Sequence, residues 1–128
     1  MNVLVDTSVW VDHFRRSNAA LVQLILADAA LTHPMVILEL ACGTPPTPRA
    51  HTLGDIAELA FTRQATHAEV MRFIEQERLY GQGCGLVGMM LLTATMITPG
   101  ARLWTLDLRL SELAARFDVA YVPAIPVS

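Results

Sequence analysis

The chain opens on a short apolar run, Asn2 to Val5, that ends at Asp6 and predicts a buried strand. Thr7 and Ser8, good N-cap residues, then lead into a helix through Val9, Trp10, Val11 and Phe14. Ser17 or Asn18 caps a second helix, in which Leu21, Leu24, Ile25 and Ala29 fall on one face. Ala30 to His33 reads as a second strand, and Pro34 suits the first turn of a helix running to about Cys42. Gly43 stops that helix, and Thr44 to Pro48 forms a proline-rich connection.

Helical spacing resumes over about Arg49 to Leu59 and again over Thr66 to Tyr80, where Thr66 and Glu69 have the spacing of a capping box. Gly81 to Gly85 is a break. An apolar helix, Leu86 to Ile97, follows and ends before Pro99-Gly100. It is the longest apolar stretch, yet it falls short of the roughly 18 residues that a membrane span needs. Arg102 to Leu106 reads as a strand ending at Asp107, then come a helix over about Ser111 to Phe117 and a short strand near Ala120 to Val122. Strands separated by helices imply a three-layer α/β/α fold with a central, mostly parallel sheet, in one domain over residues 1–128. Ligands gather at the carboxyl ends of such strands. That rule puts Asp6 and Asp107 on one functional edge.

Composition narrows the classes. The 128 residues are 53% apolar and 16% charged, which excludes a disordered chain. A formal net charge of -3 gives no bulk attraction to nucleic acid, so any RNA contact needs a local patch. Met1 to Val5 runs into Asp6 with no basic segment of a secretory signal, and Cys42 and Cys84 form no disulfide pattern. Both observations favour the cytosol and no membrane.

Candidate chemistry rests on carboxylates. Glu39 lies in the apolar stretch Val36 to Ala41, where a charge is costly unless exposed or paired. Three carboxylates meeting at one edge repel one another, and a divalent cation removes that repulsion. Hard oxygen ligands suit Mg²⁺ or Mn²⁺, and such a metal activates water and neutralises charge on a phosphate. Taken singly, an Asp after a strand also serves as a helix cap, and a Glu in an apolar helix also serves as a solvent-facing group. Spacing alone leaves both readings open.

At these residues the chain resembles a known family. Val5-Asp6-Thr7-Ser8-Val9-Trp10 resembles the opening motif of the VapC-type toxins of the PIN-domain ribonucleases. Glu39 stands where that family has its second acid, Gly83-Cys84-Gly85-Leu86-Val87 resembles the lead-in to the third, and Leu103 to Leu110 matches the segment carrying the fourth. The resemblance implies a Mg²⁺- or Mn²⁺-dependent endoribonuclease, a toxin restrained by a cognate antitoxin, and a homodimer. It makes Asp6, Glu39 and Asp107 catalytic and metal-holding carboxylates, with Thr7 and Ser8 as supporting hydroxyls. Arg109, beside Asp107, is the candidate contact to an RNA phosphate.

The chain departs from that family at Gly88, where the pattern has an aspartate, and its neighbours Val87, Met89 and Met90 replace nothing. Three readings stay open: a weakened or inactive toxin, an aspartate exchanged to permit production of a toxic enzyme, or rescue by Glu75 or Glu77. The competing class is a catalytically defective PIN fold that binds antitoxin or RNA without cutting.

Gly83 to Gly88 also spells G-x-G-x-x-G, but the dinucleotide reading requires a strand before the first glycine, and Glu69 to Tyr80 reads as helix. His13, His33, His51 and His67 lack metal-site spacing and read as surface or turn residues. Cys42 and Cys84 read as small buried residues, Arg15 and Arg16 as a solvated helix end, and Trp10 and Trp104 as core.

Overall fold

The computed structural model describes residues 2–124. Four strands, β1 (Asn2–Val5), β2 (Ala30–Thr32), β3 (Ala60–Phe61) and β4 (Ala101–Trp104), form one parallel sheet in the order β3-β2-β1-β4. Val3, Leu4 and Val5 are fully buried. An unbroken apolar run is what a strand covered on both faces requires.

Among the described residues, seven helices complete the three-layer α/β/α fold: α1 (Thr7–Arg16), α2 (Ala19–Leu26), α3 (Pro34–Cys42), α4 (Arg49–Ala57), α5 (His67–Glu77), α6 (Leu86–Ile97) and α7 (Leu108–Arg116). Asn18 caps α2 through Leu21 N–H, and Thr66 with Glu69 closes the capping box of α5. Helix α6 packs on β4 and α5, and residues 91–95 along it are buried in succession. Its threonines are accommodated by back-bonding: Thr93 and Thr95 donate to the carbonyls of Met89 and Leu91 at 2.7 and 2.8 Å. Among the described residues no helix is long and apolar enough to cross a membrane.

Several boundaries differ from the sequence reading. β4 ends at Trp104 rather than Leu106, because the Leu106 N–H leaves the sheet to bond the Ser8 hydroxyl at 2.9 Å. Helix α7 begins at Leu108 rather than near Ser111, because Asp107 caps it by accepting from Leu110 N–H. The expected strand near Ala120 reduces to a single bridge to Leu103, with no strand at Val122. β3 is not foreseen from the sequence: it is two exposed residues at the sheet edge, too few to show a strand period. Cys42 is exposed, not buried.

His33 is the buried exception among the histidines. It lies just past β2, which ends at Thr32 rather than at His33, and its Nδ1 accepts from Met35 N–H at 3.0 Å as the N-cap of α3. Burial pushes its pKa below the usual 6.5. The fold therefore favours neutral imidazole, and the unfolded chain takes up the proton first as pH falls. The contribution is present in full above about pH 6.5 and is lost progressively below it. Urea unfolding between about pH 8 and about pH 5 is expected to show stability falling on the acid side. His33→Asn, which keeps a capping acceptor that does not titrate, is expected to flatten that fall.

Candidate active site

The sheet order reverses at β1: β2 and β3 lie on one side of it, β4 on the other. A crevice opens beyond the carboxyl ends of strands at such a reversal. Asp6 leaves β1 there and Asp107 follows β4, while Glu39 comes from α3, the helix after β2. These three acids, together with Thr7, Ser8 and Gly88, line one cleft of about 470 Å³.

Each carboxylate is held by one oxygen. Asp6 occupies the N-cap position of α1 but makes no side-chain cap bond. Its Oδ2 accepts instead from the hydroxyls of Ser8 at 2.8 Å and Thr105 at 2.7 Å. Glu39 is exposed to the cleft, and its Oε1 accepts from the Thr7 hydroxyl at 2.6 Å. Asp107 spends Oδ1 on capping α7. Among the described residues, Oδ1 of Asp6, Oε2 of Glu39 and Oδ2 of Asp107 have no protein hydrogen bond. The helix-cap role thus takes one oxygen of Asp107 and none of Asp6.

Thr105 is the residue that sequence reasoning missed. Its buried hydroxyl donates to Asp6 Oδ2 and accepts from the Asp107 N–H at 3.0 Å. One side chain therefore joins the two acids that follow neighbouring strands. The available signal was its place two residues before Asp107 in Trp104-Thr105-Leu106-Asp107.

Hard oxygen donors with one free atom apiece suit Mg²⁺ or Mn²⁺ in kind. Their spacing is open: among the described residues no three His, Cys, Asp or Glu side chains stand close enough together to hold a metal ion. Gly88 is the gap in the wall. It is the third residue of α6 after the N-cap Gly85, and a Cβ built on it meets Leu110 Cδ1 and Cδ2 at 3.5 Å, ordinary contact. Neither Glu75 nor Glu77 lines the cleft, and Glu77 stands 3.9 Å from Arg116.

Cys84 also lines the cleft. Burial pushes its thiol pKa up, and Asp107 and Glu112 push the same way against Arg109. A thiol kept protonated in this way is a poor nucleophile. The glycine-rich turn follows α5, so the dinucleotide reading lacks its strand.

Two proteins named Ribonuclease VapC32, from Mycobacterium tuberculosis strains CDC 1551 / Oshkosh and ATCC 25618 / H37Rv, are each 44% identical to this chain over 118 residues. The match spans 92% of this chain and 94% of each relative. The chain belongs to the VapC-type PIN ribonuclease family. A solved VapBC-1 structure from nontypeable Haemophilus influenzae shares the fold, with a TM-score of 0.68 at 10% identity over 95% of this chain and 97% of that one. No family model matches the chain. VapC membership accounts for the acid-bearing strand ends and sharpens the question posed by Gly88.

Proposed function

We propose that this protein is an endoribonuclease toxin of a type II toxin–antitoxin system, acting in the cytosol on RNA phosphodiesters. The observation that carries this reading is the carboxylate cleft at the sheet reversal, in which each acid keeps one oxygen free. Asp6, Glu39 and Asp107 are the residues that would hold Mg²⁺ or Mn²⁺. Bound there, the ion supplies an activated water and offsets charge developing on the phosphate.

The protein's own groups do the positioning. Ser8 and Thr105 fix one Asp6 oxygen and aim the other into the cleft; Thr7 does the same for Glu39. The α7 N-terminus orients Asp107 through Leu110 N–H. Arg109, exposed beside Asp107, takes an RNA phosphate as a charge-assisted donor. A cognate antitoxin is the proposed restraining partner, by analogy with the VapBC neighbour. The apolar groove formed by Trp10, Phe14, Ile25, Pro46 and Leu59 is separate from the acid cleft and offers it a seat. Exposed Leu38, Leu86, Leu106 and Leu108, on the segments that carry the cleft residues, suit a homodimer face.

A second reading has its own observation. The missing carboxylate at Gly88 and the open spacing of the acids favour a PIN fold that binds antitoxin or RNA without cutting. Labelled RNAs incubated with the protein in Mg²⁺, in Mn²⁺ and in excess EDTA separate the two. Cleavage with metal and none in EDTA is expected for the nuclease. Cleavage that persists in EDTA overturns the metal-site reading, and intact RNA that nonetheless binds supports the second one.

A further inference from the structure

The loop between α5 and α6 holds two glycines in the left-handed region, Gly81 at φ 72° and Gly83 at φ 83°. Both backbones favour glycine, but their surroundings differ. A Cβ on Gly81 meets nothing within 4 Å. A Cβ on Gly83 would fall inside the Arg109 side chain, 2.7 Å from Cδ, 2.8 Å from Cζ and nearer still to Nη1. The Arg109 side chain therefore packs against bare backbone, with Nη1 donating to the Gln82 carbonyl at 3.4 Å.

The long Gln82 contact ties Arg109 to the loop, but its positive charge has no stabilising partner among the described residues. Arg109 is the second residue of α7, where the helix dipole opposes positive charge. It forms no ion pair among the described residues, although Asp107 is two positions away. The turn it rests on continues directly into Cys84 and Gly85, which line the acid cleft. A cation with no ion pair among the described residues, unfavourably placed for its own helix, has use for an external anion.

The geometry points to Gly83 as the positioning residue for Arg109: its side-chain-free, left-handed backbone is the platform that holds the guanidinium, next in the chain to the cleft-lining Cys84 and Gly85, for an RNA phosphate. This rests on the reading of Arg109 as a phosphate contact, and deepens it. An arginine side chain loses rotamer freedom when it binds, and a platform that already restricts it lowers that loss.

The test is fluorescence anisotropy with the full chain and a short fluorescein-labelled single-stranded RNA of mixed sequence, titrated in EDTA at several salt concentrations. Arg109→Ala is expected to weaken binding about tenfold and to lower the salt slope by about 0.7, the share of one phosphate on a single strand. Gly83→Ala is expected to do the same, and the double variant to bind no more weakly than Arg109→Ala alone. Gly81→Ala carries the same backbone strain without touching Arg109, and is expected to bind like the parent.

Parental affinity in Gly83→Ala, or a loss that adds to that of Arg109→Ala, overturns the platform while leaving the phosphate contact standing. An unchanged affinity in Arg109→Ala, or a parent that binds no RNA at low salt, overturns the phosphate contact and the platform with it. Should Gly83→Ala fail to fold, Arg109→Lys carries the test. It keeps the charge and loses the flat group that rests on Gly83, so binding is expected to fall several-fold, and parental binding overturns the inference.

Discussion

Gly88→Asp is expected to raise metal-dependent RNA cleavage by about 100-fold over the parent chain, the scale on which catalysis responds to misplaced reacting groups. The site accepts the change. A Cβ at this position makes ordinary contacts with Leu110, and the position lies in the first turn of α6, where the helix dipole favours a carboxylate by about 0.3–1 kcal/mol. Aspartate also replaces the residue most costly to a helix interior after proline.

In the absence of metal the added charge faces Asp6, Glu39 and Asp107 across one cleft, and repulsion offsets those gains. With metal that repulsion becomes binding energy. Thermal melts with and without Mn²⁺ are therefore expected to separate: a small shift for the parent and a larger one for the variant, about 2.7 kcal/mol when the ion stands at about 100 times its dissociation constant. Equal cleavage and equal Mn²⁺ shifts in the two proteins would remove Gly88 from the site and leave its departure from the family pattern without a functional meaning.

Thr105→Val is expected to lower Mn²⁺ affinity by about 10–100-fold and to destabilise the fold by about 1–3 kcal/mol. Valine keeps the branched shape and deletes only the hydroxyl. Asp6, itself buried, loses one of the two donors on Oδ2, and the Asp107 N–H loses its acceptor. Both losses fall on groups that orient the acids, so the metal response is expected to decline with the stability. Thr105→Ser restores the hydroxyl and is expected to recover most of the affinity. Mn²⁺ titration followed by melting decides it: a valine variant that melts lower yet responds to Mn²⁺ like the parent would confine Thr105 to a structural role.

Much of this was legible beforehand because the relevant signals are local. Val3-Leu4-Val5 before Asp6, Pro34 at a helix start and the Thr66–Glu69 box each act within a few residues, and each element stands where they put it. What stayed hidden is what only the sheet brings together. The Thr105 hydroxyl reaches Asp6 across 99 positions of sequence, and the Leu106 N–H that turns to Ser8 to end β4 early spans nearly as many. β3 depends on pairing with β2 and has no pattern of its own. Asp107 was visible as an acid after a strand, but its second duty as the α7 cap was not, so the helix start was placed three residues late. Among the acids, the sequence supported Glu39 least, and its tie to Thr7 joins two helices that no periodicity connects.

The pairing of β1 with β4 also fixes when the cleft can exist. Asp6 leaves the ribosome 99 positions ahead of Thr105, the hydroxyl that orients it. Chains are made at about 5–20 residues per second, so the first acid waits several seconds for the strand and hydroxyl that orient it. Until β4 and Thr105 emerge, the nascent chain has no oriented acid cleft.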